Sequence, residues 1–174
     1  MTERPKLDYK FALFDIDAFA KRLPSRARLL GLDVGTKTIG LAVSDSDLTV
    51  ASPLKTIART KLVEDAKAIM SIVHMYRIWG FVAGLPVNMD GSEGPRCQSV
   101  RQFGENLVGM IDALNKEVVP LTFWDERLST MAVERSMLEA DLTRKRRGEL
   151  VDKLAAAYIL QGALDYLRQR RAPA

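Results

Sequence analysis

Residues 28–44 read Arg-Leu-Leu-Gly-Leu-Asp-Val-Gly-Thr-Lys-Thr-Ile-Gly-Leu-Ala-Val-Ser. The first seven of them are largely apolar and predict a buried strand that ends at Val34. A turn over residues 35–37 follows, and the alternation of large and small residues over 39–43 predicts a second strand. Because the turn is short, the two strands are expected to pair in antiparallel fashion. The stretch therefore predicts a hairpin that carries an acidic residue, Asp33, next to its turn.

The rest of the chain adds one more antiparallel strand and then alternates between helices and strands. The third strand is expected over Thr49–Ile57, and Pro53 predicts that it lies at an edge of the sheet. The elements expected after it are a helix over 60–77, a strand over Trp79–Leu85, a loop over Leu85–Pro95, a helix from about Val100 to Leu114, a strand over Val118–Trp124, a helix over Ser129–Glu139 and a final helix from about Leu150 to Arg168. Helical crossovers imply parallel pairing. The order predicts an α/β domain with a mixed five-stranded sheet, three antiparallel strands followed by parallel ones, flanked by helices.

Length and composition favour a single cytoplasmic domain. The chain has 174 residues, of which 47% are hydrophobic, enough for one core. Its single cysteine, Cys97, indicates a reducing compartment. No apolar run reaches the roughly 20 residues of a membrane span, and no signal-peptide pattern opens the chain, so we expect no membrane partner. Residues 1–26 are interpreted as an N-terminal extension of a domain over residues 27–170.

Four carboxylates fall where a catalytic site is expected. Asp33 ends the first apolar strand, Asp125 and Glu126 end the strand over Val118–Trp124, and Asp152 begins the final helix. Ligands of open α/β sheets bind at the carboxyl ends of the strands, so these acids are expected to converge. Converging carboxylates repel one another unless a cation lies between them, and their hard oxygen atoms suit Mg²⁺ or Mn²⁺.

Two such ions about 4 Å apart support in-line hydrolysis of a phosphodiester without a histidine or cysteine nucleophile. Simpler interpretations of each acid remain open. Asp152 is equally suited to stabilise a helix N-terminus, Asp125 is able to pair with Arg127, and Asp33 is a common turn former ahead of Gly35.

Basic and small polar residues near the two glycine-containing loops are expected to hold phosphates. The net charge of +4 is weak evidence for nucleic acid, but the loop over residues 84–96 leads from a strand into a helix N-terminus, which favours anion binding. The residues predicted to contact nucleic acid are Thr36, Lys37, Asn88, Ser92, Arg96, Arg127, Arg144, Lys145, Arg146 and Arg147. A plain connection at residues 84–96 and a solvated loop at residues 144–147 are the alternatives.

Four blocks occur in order along the chain: Gly31-Leu-Asp-Val-Gly-Thr-Lys-Thr-Ile-Gly-Leu-Ala-Val-Ser-Asp45, Gly84-Leu-Pro-Val-Asn-Met-Asp-Gly-Ser-Glu-Gly94, Trp124-Asp-Glu-Arg-Leu-Ser-Thr130 and Val151-Asp-Lys-Leu-Ala-Ala-Ala157 with Ile159-Leu-Gln161. Together they resemble the YqgF family, also called RuvX. Its members are Holliday-junction-resolvase-like proteins described as nucleases proposed to act on precursor 16S ribosomal RNA. The resemblance covers about residues 28–168.

The resemblance implies a ribonuclease H-like fold with Asp33 and Asp152 as metal ligands and a third ligand from the segment Asp125–Arg127. Sites of this type often use a glutamate between two aspartates, which favours Glu126. Adjacent side chains of an extended strand point in opposite directions, so only one of Asp125 and Glu126 is expected to face the site. The family often has arginine where Thr38 follows Lys37 here, which removes one basic contact.

The function expected from this resemblance is a metal-dependent nuclease that processes the 5′ end of precursor 16S rRNA during ribosome biogenesis. One alternative is a Holliday junction resolvase acting on branched DNA, and another is a non-catalytic assembly factor that binds nucleic acid. The expected partner is structured RNA or branched DNA, and the chain is expected to be a monomer or a homodimer. A symmetric dimer would favour junction cleavage, which needs two coordinated cuts.

Overall fold

The computed structural model describes residues 12–128 and 144–171, with side chains from residue 154 onward in the second range. Six strands and four helices make up these residues. The strands are β1 (Leu13–Phe14), β2 (Arg28–Val34), β3 (Thr38–Ser44), β4 (Ala51–Ala58), β5 (Ile78–Leu85) and β6 (Leu121–Asp125), and the helices are α1 (Ile16–Arg22), α2 (Leu62–Tyr76), α3 (Pro95–Asn115) and α4 (Arg144–Arg171). Among them, no helix is both long and apolar enough to cross a lipid bilayer.

The strands form one mixed sheet in the order β1-β6-β5-β2-β3-β4. Strands β2, β3 and β4 pair in antiparallel fashion, and β2, β5, β6 and β1 pair in parallel. This confirms the predicted mixed sheet, and β4, which contains Pro53, is the edge strand as expected. The prediction of five strands omitted β1, because two residues are too short to show an alternating pattern.

Helices cover both faces of the sheet and create two hydrophobic cores. Helices α2 and α3 bury residues such as Ile69 and Leu107 against one face, which we call the α3 face. Helices α1 and α4 bury Phe19 and Leu160 against the other, which we call the α4 face. Both faces of the parallel strands are therefore apolar, and this explains why those strands are nearly continuous runs of hydrophobic residues.

Residues 12–26 are part of this packing. Helix α1 begins at Ile16, because the Asp15 side chain accepts a hydrogen bond from the Ala18 amide (2.8 Å) and caps the helix there. Phe19 is fully buried. A methyl group added at Gly80 of β5 would lie 2.9 Å from the Phe19 ring, so the extension fits closely against the central sheet.

The last helix begins earlier than predicted. It was expected to start near Leu150 but extends from Arg144, so the basic run Arg144–Arg147 is its first turn and is not a loop. Arginine and lysine are good helix formers, and a single Gly148 does not outweigh them. Asp152 consequently lies in the third turn, and because the helix dipole acts only within the first turn, it does not explain an acid there. The helix predicted over Ser129–Glu139 lies outside the described residues.

Candidate active site

The strand register brings two of the predicted acids to neighbouring positions at the carboxyl edge of the sheet. Leu32 of β2 pairs with Ala83 of β5, and Gly84 of β5 pairs with Trp124 of β6. The next residue of β2 is Asp33, and Glu126 follows the end of β6 in a single 3-10 turn. Strand β5 therefore lies between the two acids, with Gly84 level with Asp33 on one side and with Trp124, two residues before Glu126, on the other.

Gly84 leaves the space that the Glu126 carboxylate occupies. A methyl group added at Gly84 would lie 2.6 Å from Glu126 Oε1 and 2.4 Å from Cδ1 of Ile159 in α4. Both distances are below any ordinary carbon contact, so no larger residue fits at position 84 without displacing one of these side chains. Glu126 is thus held on the α4 face of the sheet, between β5 and the last helix.

Asp33 lies on the same face. A methyl group added at Gly31 would lie 2.8 Å from Cβ of Leu160, so residue 31 faces α4. Side chains two residues apart on a strand share a face, and Asp33 therefore also faces α4. Asp33 and Glu126 are close enough that the Asp33 charge contributes to the electrostatics of Glu126.

The pKa of Glu126 is raised above its ordinary value, first by burial and then by the negative charge of Asp33, while Arg96 opposes the shift. Arg96 belongs to the first turn of α3, and its Nη2 donates to the Val34 carbonyl at 3.5 Å. The positive charge of Arg96 does not offset the combined effect of burial and of the Asp33 charge on the pKa of Glu126. The site thus concentrates negative charge where it is costly, which is the electrostatic environment that a bound cation relieves.

Asp125 faces the other way. Its carboxylate accepts two hydrogen bonds of 3.1 Å from Arg127 Nε, one of 2.7 Å from Arg127 Nη2 and one of 3.0 Å from the Arg127 amide. This pairing lowers the pKa of Asp125. Phe123, two residues earlier, packs against Gly104 of α3, so this part of β6 points Asp125 to the α3 face. The ion pair with Arg127 that the sequence left open is present, and Glu126 is the acid beside Asp33.

The direction of α4 places the backbone of residue 152 near the same edge of the sheet. Arg171 near the end of α4 donates to the carbonyl of Pro24, which precedes β2, so the helix runs antiparallel to β2. The carbonyl of Ala156 lies 3.0 Å from a methyl group added at Gly31. Asp152 is one helical turn, about 6 Å, before Ala156, and Asp33 is about 7 Å beyond Gly31. The position of residue 152 along α4 therefore matches that of Asp33 along β2.

Among the side chains that the structure describes, no group of three acids, histidines or cysteines is placed to hold a metal. The structure brings together two of the predicted ligands, Asp33 and Glu126. The side chain of the third, Asp152, lies outside the described part of the chain, as do the side chains of the basic run Arg144–Arg147.

The residues predicted to contact nucleic acid differ in their exposure and in the hydrogen bonds that they make within the protein. Thr36 and Lys37 are exposed at the β2–β3 turn. Asn88 donates to Ser92 Oγ at 3.1 Å, and the Ser92 amide donates to Asp90 at 2.9 Å, so both of these polar side chains take part in shaping their own loop. Arg127 pairs with Asp125 and also donates to the Met89 carbonyl at 3.5 Å, which ties that loop to the end of β6.

Arg59 is a functional candidate that the sequence analysis missed. Its Nη1 donates to the Gly35 carbonyl at 2.7 Å, its amide donates to the Lys37 carbonyl at 2.8 Å, and its guanidinium lies 4.8 Å from the centre of the Phe103 ring. It holds the turn that follows Asp33. No local pattern marks this role, because the contact joins residues 24 positions apart.

The model of the RuvX family, described as Holliday junction resolvase, matches residues 27–166. The chain belongs to the RuvX family. A RuvX relative from Roseobacter denitrificans, named "Putative pre-16S rRNA nuclease", is 57% identical over 160 residues, which cover 92% of this chain and 96% of the relative. A second with the same name, from Ruegeria pomeroyi, is 58% identical over 153 residues and covers 88% of this chain and 96% of the relative.

A solved structure similar to this RuvX chain is Thermus thermophilus RuvC in complex with a Holliday junction substrate. Its TM-score is 0.51 at 16% sequence identity, and the match covers 82% of this chain and 96% of RuvC. At this identity the likeness concerns the fold, which is the ribonuclease H-like fold of the resolvases and agrees with the sequence prediction.

Proposed function

We propose that this RuvX chain is a divalent-metal-dependent nuclease that processes the 5′ end of precursor 16S rRNA in the cytoplasm. The observation that carries the proposal is the pair formed by Asp33 and Glu126 on the α4 face, over the space left by Gly84. The names of its RuvX relatives support RNA as the substrate.

The residues present fit a metal site. The donor set consists of carboxylate oxygens, which Mg²⁺ and Mn²⁺ prefer, and burial together with the Asp33 charge raises the pKa of Glu126, a shift that a bound cation would oppose. Asp33, Glu126 and Asp152 would hold the ions. Bound divalent ions would activate the attacking water and stabilise the leaving oxygen.

The surrounding residues would position the nucleic acid. Arg96, next to the acids, would bind a phosphate and keep it beside Asp33 and Glu126. Lys37 at the β2–β3 turn and the first turn of α4, residues 144–147, would contact phosphates farther along the backbone. Arg127 pairs with Asp125 and holds the 86–94 loop, and it would position that loop along one side of the bound nucleic acid. A monomer suffices for trimming a single strand.

The proposal is tested by cleavage of RNA that carries the 5′ end of precursor 16S rRNA, with Mg²⁺ or Mn²⁺. We expect Asp33→Asn and Glu126→Gln to lose at least about 100-fold in rate, because each removes a negative ligand for the ions. Asp125→Asn is the matched control, since it neutralises an acid at the same edge but on the α3 face, and it should retain activity within about fivefold.

A four-way DNA junction serves as the second substrate. Cleavage of the junction but not of the RNA would assign the chain to junction resolution, for which a symmetric dimer is required. Equal RNA cleavage by wild type and Asp33→Asn would remove the proposed site. No cleavage of either substrate would leave a nucleic-acid-binding assembly factor.

A further inference from the structure

The amino edge of the sheet, opposite the acids, contains an open groove of about 800 Å³ where β2 and β5 begin. It is distinct from the candidate active site: Arg28 at its wall is five residues, about 17 Å of extended strand, from Asp33. The side chains that matter here are Arg26, Arg28, His74, Tyr76, Arg77 and Trp79. They come from the segment before β2, from β2 itself, from the end of α2 with Arg77 after it, and from the start of β5.

Within the part of the chain that the structure describes, two of the three arginines in this groove have no counter-charge in contact. Arg26 lies 3.9 Å from Asp47, and His74 lies 2.9 Å from Glu117. Within residues 12–128 and 154–171, no acid and no hydrogen-bond acceptor contacts the guanidinium of Arg28 or that of Arg77. Both residues are exposed. Their charge is therefore available to an anionic ligand.

Arg77 has a backbone conformation that is uncommon for an arginine. It ends α2 in the left-handed conformation, with φ of 54° and ψ of 52°, and its amide donates to the Val73 carbonyl. Glycine is the usual residue at such a helix end, because a side chain is unfavourable there. The positive charge of Arg77 favours the C-terminal end of α2, as that of Lys116, which has the same backbone conformation, favours the end of α3. The Arg77 side chain is exposed and also lines the groove.

Arginine and aromatic side chains together match the chemistry of single-stranded nucleic acid. A guanidinium binds a phosphate through two parallel hydrogen bonds. Tyr76 packs against the core on the α3 face, and the Trp79 ring packs edge-on against that of Phe19, with 5.2 Å between their centres. Both remain half-exposed at the wall of the groove, where unpaired bases would stack on them. We propose that this groove binds a single-stranded segment of the nucleic-acid substrate while the strand to be cut lies at the opposite edge. This inference rests on the proposed function for the identity of the substrate, but its binding test is independent of cleavage.

The test measures the affinity of single-stranded RNA of about 16 nucleotides, the upper site size of a single-strand-binding fold. Fluorescence anisotropy is recorded in EDTA over a series of salt concentrations. We expect Arg28→Gln and Arg77→Gly each to weaken binding about five- to tenfold at low salt and to lower the slope of log K against log salt by about 0.7. Arg77→Gly should at the same time keep or raise the melting temperature, because glycine relieves the left-handed backbone.

Lys67→Gln is the matched control. Lys67 is exposed on the same helix, α2, outside the groove, and pairs only with Glu64 at 3.8 Å within the described structure. It should leave both affinity and slope unchanged. Unchanged RNA affinity in both arginine variants would overturn the proposal, and so would a loss confined to binding of a polyglutamate peptide, which would assign the groove to an acidic protein.

Different experimental results would contradict the proposed nucleic-acid groove and the proposed nuclease activity. Weaker RNA binding by the two arginine variants, with no cleavage by wild type, would keep the groove and remove the nuclease. Cleavage that depends on Asp33, with full RNA affinity in both arginine variants, would keep the nuclease and remove the groove.

Discussion

Asp125 and Glu126 are adjacent in sequence, but their environments are opposite. Asp125 is held by the Arg127 guanidinium, which lowers its pKa. Glu126 is half-buried beside Asp33, and this burial and the Asp33 charge raise its pKa. An acid that is paired with an arginine stabilises the fold in its charged form. A half-buried acid beside a second acid destabilises the fold in its charged form, and such acids are typical of functional sites.

The residue-scale prediction concerns the pH dependence of folding stability in EDTA. Because the folded pKa of Glu126 is raised, its contribution to stability is complete below its unfolded value of about 4.5 and is lost as pH rises through the folded pKa. Wild type should therefore become less stable relative to Glu126→Gln as the pH rises from below that value toward neutrality. Adding Mg²⁺ at neutral pH should stabilise wild type more than the variant.

The control for this prediction has the opposite sign. Asp125 has a lowered pKa, so its contribution is present above its unfolded value of about 3.8 and is lost as pH falls through the folded pKa. Asp125→Asn should be less stable than wild type at neutral pH. Melting temperatures of wild type, Glu126→Gln and Asp125→Asn, measured over a series of pH values, test both predictions. A Glu126→Gln curve parallel to that of wild type would show that Glu126 carries no such penalty.

At the scale of elements, β5 separates the two strands that carry the acids and sets their spacing. Its position between β2 and β6 follows from the parallel crossovers through α2 and α3, and its Gly84 keeps the space above it open for Glu126. The opposite wall is α4, where Ile159 closes the same space. The geometry of the site therefore depends on two residues that are not ligands themselves, Gly84 of β5 and Ile159 of α4.

The element-scale prediction is that Gly84→Ala lowers cleavage by about 100-fold, because the added methyl displaces the Glu126 carboxylate. Overpacking against Ile159 should also destabilise the fold by about 1–3 kcal/mol. Ile159→Val removes the closest clashing atom. Because Cγ1 of residue 159 stays 2.8 Å from the added methyl group, the double variant should recover part of the stability, measured by urea unfolding, but not the cleavage rate.

Gly80→Ala controls for overpacking alone. It lies on the same strand and face, and its methyl would come 2.9 Å from the Phe19 ring, far from the acids. It should cost stability but leave the cleavage rate within about threefold of wild type once folded protein is compared. Equal loss of activity in the two alanine variants would show that the site is insensitive to the position of Glu126.

On the scale of the whole molecule, the sequence predicted the mixed sheet, because its central strands are local and strongly apolar runs, and the edge position of β4, because that strand contains Pro53. It also placed Asp33 and Glu126 at strand ends, and the preference for Glu126 over Asp125 agrees with the geometry. What it missed depends on contacts between distant residues: the two-residue β1 exists only by pairing with β6, and Arg59 acts on Gly35 across the sheet.

The start of α4 was misjudged for a different reason. Basic residues followed by Gly148 resemble a solvated loop, yet their helix propensity extends the helix to Arg144. The earlier start of α4 places Asp152 in the third turn of the helix and not at its N-terminus. A role for this acid as a helix-end charge is thereby weakened, and a role at the carboxyl edge of the sheet is favoured.

The central claim is that acids from β2, the end of β6 and α4 share bound cations. A Mn²⁺ binding isotherm, recorded by calorimetry at neutral pH, tests it most directly. Wild type and Asp125→Asn should bind Mn²⁺ with similar affinity, whereas Asp33→Asn, Glu126→Gln and Asp152→Asn should each bind at least about tenfold more weakly. The claim would be contradicted if wild type bound no Mn²⁺, or if all five proteins bound it equally well.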